Sequence, residues 1–409
     1  MTNTIYTRLS FMMFLQFFIW GAWFVTVGSY LGEIGFNGTE IGTTYLMNNI
    51  AAILSPFFIG MVADRFFSSE KVMGVLHIVG GGILYFATGI TETAPLILTL
   101  LVYNACYMPT LALVNTISFQ QMENPGEQFP KIRVWGTIGW ITAGLSINFI
   151  LGSLIDNVEL TTLPLKMAAA ISVLLGMYSF SLPNTPPQNT GKDVSIGDIL
   201  GIKALKLLKD TSFAVFVLSS LLISIPLAFY YSFTNLFLND LNVDNAASIQ
   251  SIGQMSEVLF MVLMPWFFVR LGLKKMLLVG MLAWLLRYGM FAIGNTDEMV
   301  WMLFLGIALH GICYDFFFVT GQIYVDKKAP KDIRASAQGF ITLITYGVGM
   351  GIGSVISGNV LDMFTANGQR DWATFWWIPA IFALLVALMF YITFKQPEEK
   401  LEIKSKSIE

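Results

Sequence analysis

Charge is what this sequence has least of. Only 12% of its 409 residues are Asp, Glu, Lys or Arg, against about 25% in an ordinary soluble domain. So little charge cannot coat a water-facing shell, which excludes a soluble enzyme. Cysteine and histidine number two each, too few for a metal-spaced set or a haem-ligand histidine pair. There is no Walker motif and no Ser/His/Asp arrangement, so neither ATP hydrolysis nor nucleophilic catalysis is expected, and no cofactor is implied. Lys and Arg total 23 against 26 Asp and Glu, net −3, which advertises no basic face and no nucleic-acid partner. What is abundant is apolar: 55% hydrophobic residues, 34 Phe, 36 Gly, 21 Met and 10 Trp, with mean hydropathy +0.68. That mixture suits helices packed in lipid, where small residues let backbones approach.

A bilayer core of about 30 Å needs roughly 20 apolar residues per helix. Twelve such stretches are legible, at 9–31, 41–63, 72–91, 95–118, 133–154 and 164–182, then 212–238, 248–269, 275–294, 299–324, 335–361 and 373–394. Turn signals such as Asn37-Gly38, Pro125-Gly126, Gly294-Asn295 and Asn367-Gly368 separate them. The first stretch is too long for a signal-peptide core and has no cleavage site, so it is read as mature structure. The fold class is therefore an all-α polytopic membrane protein with twelve transmembrane helices in two six-helix pseudo-symmetric bundles. The expected divisions are 1–183 and 211–394 for the bundles, 184–210 for a cytoplasmic linker and 395–409 for a cytoplasmic tail.

If the N-terminus is cytoplasmic, 20 of the 23 Lys and Arg fall in cytoplasmic segments, only Lys166 and Arg370 opposite, and Arg287 inside a span. This asymmetry is a positive-inside signal and places both termini in the cytoplasm. The halves also echo each other. Cys106-Tyr107 answers Cys313-Tyr314, and Ile132-Arg133 answers Ile333-Arg334. Six-plus-six repeats of this kind are the layout of major facilitator transporters, which bind substrate near the midplane between the halves. The Gly60 to Arg65 loop resembles part of that superfamily's loop signature.

Ionisable groups at membrane depth are costly and mark functional sites by default. Glu257 and Asp315 are the two carboxylates well inside spans. Gln254 lies three residues before Glu257, on the same face. His310 precedes Tyr314 by four residues. Arg133 is followed at helical spacing by Thr137 and Trp140, and Tyr231 and Asn235 share a face of the seventh span. Structural roles compete: Glu257 or Asp315 as partners of Arg133 or Arg287, Gln254 as an interhelical bond, His310 and His77 as packing histidines, and Trp20, Trp23, Tyr103 and Tyr107 as core aromatics. Asp64 and Arg65 read as gate and loop structure. The glycine run 347–353 is no nucleotide loop, because it lies mid-span with no preceding strand and no following Lys-Ser/Thr.

Tyr107-Met108-Pro109-Thr110-Leu111, Asn115-Thr116-Ile117-Ser118 and Ile132-Arg133-Val134-Trp135-Gly136-Thr137 resemble the bacterial nucleoside:proton symporter family of the major facilitator superfamily. So do Gln254-Met255-Ser256-Glu257, Asp315-Phe316-Phe317 and Arg334-Ala335-Ser336-Ala337-Gln338-Gly339. The likeness runs from the first span to the twelfth. It implies import of nucleosides with protons across a bacterial inner membrane. It implies substrate contacts from Arg133, Thr137, Trp140, Gln254, Glu257 and Tyr314, and proton coupling near Asp315, with Glu257 as the alternative. Where the family's permeases place two amides on the seventh helix this chain has Ala228 and Tyr231, and where they carry a tyrosine one turn before the tenth-helix aromatic it has His310. Tyr231 and His310 join the expected substrate-binding set. A proton-coupled sugar permease stays open, since sugars also need carboxylates, a cation and an aromatic face. So does a nucleoside-binding membrane sensor.

Overall fold

A long apolar run in lipid must satisfy its own backbone polar groups, and the helix does so within one segment. The computed structural model describes residues 1–65, 67–187, 202–331 and 333–395, without the side chains of 56–65, 126, 202 and 335. Among them run twelve helical rods: α1 Asn3–Glu33, α2 Gly38–Arg65, α3 Ser69–Ala87, α4 Thr93–Gln120, α5 125–151, α6 Leu163–Ser179, α7 Thr211–Asp240, α8 246–271, α9 273–293, α10 Val300–Lys328, α11 334–363 and α12 Trp372–Thr393. Nine described stretches are long and apolar enough to cross a membrane. One of these is α8 with α9, divided where Gly272 takes φ 68° and ψ 175°. Only glycine enters that backbone region without strain. The rods α2 and α6 complete the twelve. One two-residue hairpin, Thr365–Ala366 with Gln369–Arg370, joins α11 to α12.

The packing repeats at an offset of six helices. α1 packs on α5 as α7 packs on α11, α2 on α4 as α8 on α10, and α3 on α6 as α9 on α12. The last two pairs meet through Ser256 Oγ donating to the Ala308 carbonyl at 2.5 Å and through stacked Tyr288 and Trp376. This is the pseudo-symmetric two-bundle architecture the repeat implies.

Rod edges differ from the apolar runs by a few residues, because helices continue into polar flanks. α1 starts at Asn3, where Thr2 Oγ1 accepts from Ile5 N. Ile202–Lys209 forms a short 3₁₀ helix before α7, which the apolar pattern does not announce. Most of the expected linker, 188–201 with Lys192, and the tail 396–409 with Lys400, Lys404 and Lys406, lie outside the described residues. The side chains of Asp64 and Arg65 lie outside them too.

The two halves touch most closely on the face away from the termini. There α1 crosses α7 at Gly28, α2 crosses α11 at Gly42, and α5 crosses α8 at Gly144. A Cβ on these glycines would stand 2.6 Å from the Ser232 carbonyl, 2.3 Å from the Ser354 carbonyl and 2.5 Å from Ser251 Oγ. Two buried or half-buried carboxylates stitch the same face. Glu159, between α5 and α6, accepts from Asn148 Nδ2 at 2.6 Å, Asn235 Nδ2 at 2.7 Å, Asn239 Nδ2 at 3.2 Å and Ala247 N at 2.9 Å. Asp362, at the end of α11, accepts from Gly38 N at 2.6 Å, Thr39 N at 2.8 Å and Thr39 Oγ1 at 2.5 Å. It thereby places a negative charge on the positive N-terminus of α2.

Candidate functional site

Below this seal a cavity of about 520 Å³ lies between the halves, within the size range of small-molecule sites. Its lining continues toward the termini through Asn115, Gln322 and Thr342. The first half contributes Phe17, Trp20 and Phe24 of α1, Asn48 and Asn49 of α2, Asn115 of α4, and Arg133, Thr137 and Trp140 of α5. The second half contributes Tyr231 of α7, Gln254 and Glu257 of α8, Tyr314 and Gln322 of α10, and Tyr346 of α11.

Local sequence explains the aim of each group. Arg133, Thr137 and Trp140 follow one another at turn spacing on one face of α5. Gly136 leaves the space that the Arg133 side chain crosses: a Cβ there would stand 2.7 Å from Arg133 Nη1 and 2.7 Å from Phe17 Cδ2. The guanidinium carbon consequently rests 4.1 Å from the centre of the Phe17 ring, a cation–π contact. Trp140 seats against Gly21, where an added Cβ would be 3.0 Å from its Cγ, and meets Trp20 edge-on at 5.6 Å. Glu257 faces Arg133 from the other half, near enough for the two charges to interact. Tyr314 is pinned by a hydrogen bond between its hydroxyl and that of Tyr346. Tyr231 leans on Phe24 of the opposite half at 5.7 Å.

The structure thus brings seven of the expected residues to one cavity: Arg133, Thr137, Trp140, Tyr231, Gln254, Glu257 and Tyr314. It corrects the position of His310. That side chain is fully buried and stands one layer behind the wall, stacked between Tyr230 at 5.2 Å and Tyr314 at 5.8 Å. Its Nδ1 lies 3.0 Å from Arg287 Nη1. Asp315 is also buried behind the wall. It opens a π-helical turn over Asp315–Val319, and neither carboxylate oxygen has a hydrogen-bond partner among the described residues. A second π-helical turn, Leu343–Gly349 of α11, carries Tyr346. Such turns interrupt the regular helix and recur at functional sites.

Asn235 does not face the cavity with Tyr231. It joins the seal, donating to Glu159 and accepting from Ser29 Oγ at 2.5 Å. His77 is a satisfied core histidine, 3.0 Å from Ser172 Oγ and 2.8 Å from Gln16 Oε1. Trp23, Tyr103 and Tyr107 pack inside the first half, while Trp20 reaches the cavity. Sequence reasoning missed Asn48, Asn49, Gln322 and Tyr346. The adjacent amides Asn48-Asn49 at membrane depth were the available signal.

The arrangement offers aromatic faces on both halves, one cation, one carboxylate and several amides. That set can hold a planar ring and bond hydroxyls and amide-like edges. Comparison with known proteins agrees with it. The family model for the nucleoside H+ symporters matches residues 3–399. The putative nucleoside transporter YegT of Escherichia coli (strain K12) is 44% identical over 405 residues, covering 96% of this chain and 95% of that protein. Nucleoside permease NupG of the same organism is 35% identical over 404 residues, covering 95% of each. The crystal structure of nucleoside transporter NupG superposes with a TM-score of 0.87 at 34% identity, covering 97% of this chain and 100% of that one. A match across nearly the whole chain, together with the shared fold, shows that this chain belongs to the nucleoside H+ symporter family.

Proposed function

We propose that this protein imports nucleosides together with protons, by alternating access of its two six-helix bundles around the midplane cavity. The observation that carries the reading is the cavity itself, which combines Arg133 and Glu257 with aromatic rings from both halves. Trp140, Tyr231 and Tyr314 offer faces for the base. Glu257 and Gln254 accept from or donate to the ribose hydroxyls, and an ionised carboxylate accepts strongly. Arg133 and Thr137 bond the base edge from the other half. His310 acts behind this wall and not on the substrate directly.

Asp315 is the proton-coupling residue in this reading, with Glu257 facing the substrate. The absence of donors to its buried oxygens among the described residues supports the role, because an ionised carboxylate buried without partners is expensive. The bundles are assigned to 1–183 and 211–394, both termini to the cytoplasm, and the location to a bacterial inner membrane. The basic-residue asymmetry supports this orientation, and it makes the sealed face the outer one.

The test is uptake of labelled uridine and adenosine by proteoliposomes, with and without an inward proton gradient. Accumulation that collapses with a protonophore is expected. Asp315→Asn, which disturbs no side-chain hydrogen bond among the described residues, is expected to abolish gradient-driven accumulation while nucleoside exchange continues. Accumulation unchanged in Asp315→Asn would move the coupling role to Glu257. Uptake of sugars in place of nucleosides would overturn the substrate assignment.

A further inference from the structure

Arg287 is a buried cation that the transport reading leaves without a task. It lies on α9, fully buried, and among the described residues its guanidinium meets aromatic rings and an imidazole where a buried arginine ordinarily meets a carboxylate. Its carbon sits 3.4 Å from the centre of the Tyr230 ring. Its Nη1 lies 3.0 Å from Nδ1 of His310. An arginine is always protonated and only donates. Nδ1 therefore accepts, and His310 is the neutral tautomer with its hydrogen on Nε2.

His310 in turn touches what lines the cavity. It stacks on Tyr314 at 5.8 Å and meets Tyr231 edge-on at 6.1 Å. Its other flank abuts the backbone of α8 at Gly253, where a Cβ would come within 3.1 Å of His310 Cβ. The next residue is Gln254, which lines the cavity. Arg287 and Tyr288 are also anchored across to α7, through the Tyr230 ring and through the Tyr288 hydroxyl donating to the Pro226 carbonyl. One cation thus stands behind α7, α8 and α10, three of the four helices that make the second-half wall.

We propose that Arg287 is a positioning residue for substrate recognition: by holding His310 in one tautomer and orientation, it sets the planes of Tyr231 and Tyr314 against the bound molecule. The inference rests on the reading that this wall binds the nucleoside. It makes Arg287 and His310 a pair that acts on affinity and base preference, with no contact to the substrate.

The experiment compares Arg287→Met, Arg287→Lys, His310→Leu, His310→Asn and the double variant Arg287→Met with His310→Leu in proteoliposomes. KM and Vmax are measured for uridine and adenosine, per folded transporter by size exclusion. Arg287→Met and His310→Leu are each expected to raise KM about tenfold or more, unequally for the two nucleosides, with Vmax within about twofold. The double variant is expected to be no worse than either single one, because the pair acts as a unit. His310→Asn places an amide oxygen where Nδ1 accepts, and Arg287→Lys keeps a charged donor, so both are expected to recover most of the affinity. KM unchanged in folded Arg287→Met, or single effects that simply multiply, would overturn the proposal. If Arg287→Met does not fold, the contrast between His310→Asn and His310→Leu decides it, and equal KM values overturn it. Tyr314→Leu separates the two readings. A raised KM there with a silent Arg287→Met removes only the positioning role, whereas an unchanged KM in Tyr314→Leu removes the wall assignment and the proposal with it.

Discussion

At the scale of single residues, the cavity turns on Arg133 and Glu257 set opposite each other, with no ion pair closing on either among the described residues. Glu257 is half-buried on the wall and has room to accept from a ligand hydroxyl. A hydrogen bond to a charged group contributes about 1.5–3 kcal/mol, so Glu257→Gln is expected to raise KM by roughly ten- to a hundredfold. The concentration dependence of uptake checks this, and normal size-exclusion behaviour shows that the fold survives. Gly136→Ala acts through its neighbours on the cavity wall. Its methyl claims the space of the Arg133 guanidinium and the Phe17 edge, so weaker binding is expected at full expression. An unchanged KM would mean that the stacked position of Arg133 is not the one that binds.

At the scale of elements, the helices were largely legible in the sequence, since twenty apolar residues in lipid have few alternatives to a helix. What lies at their ends was less so. Asp210 caps α7 by accepting from Phe213 N at 2.9 Å and accepts from Lys328 Nζ at the end of α10 at 2.7 Å. The lysine beside it holds the Asp210 carboxyl below the ordinary range. Its contribution is therefore present above the unfolded value of about 4 and is lost as pH falls below it. Asp210→Ala is expected to lower stability by about 1 kcal/mol, the usual effect of losing a cap, and to flatten the acid limb of a thermal-unfolding series. The site was legible in part for a similar reason. Membrane depth singles out Glu257 and His310 alike, but only the crossing of α8 and α10 at Gly253 and the ring of Tyr230 decide that His310 faces inward to Arg287. That information is tertiary. Asn48 and Asn49 were in plain view and yet carried no motif.

At the scale of the whole molecule, the structure is closed on the face away from its termini, and the closure must come apart in each cycle. Asp362→Ala removes three acceptor contacts to α2, and Glu159→Gln weakens the bonds from α7 and α8. Both variants are expected to populate the state open on that face. Spin labels at the far ends of α5 and α8 should report a longer distance, and an unchanged distribution would mean that the glycine crossings alone hold the face shut. Among the described residues, the donors to Glu159 and Asp362 across the halves are backbone or side-chain amides and a hydroxyl; no lysine or arginine takes part. Mobile ions have little hold on such bonds, whereas a surface of paired lysines and carboxylates loosens once the Debye length shrinks to about 10 Å or less. The opening of this face is accordingly expected to depend only weakly on ionic strength, the Asp362 charge on the N-terminus of α2 being the part that salt screens.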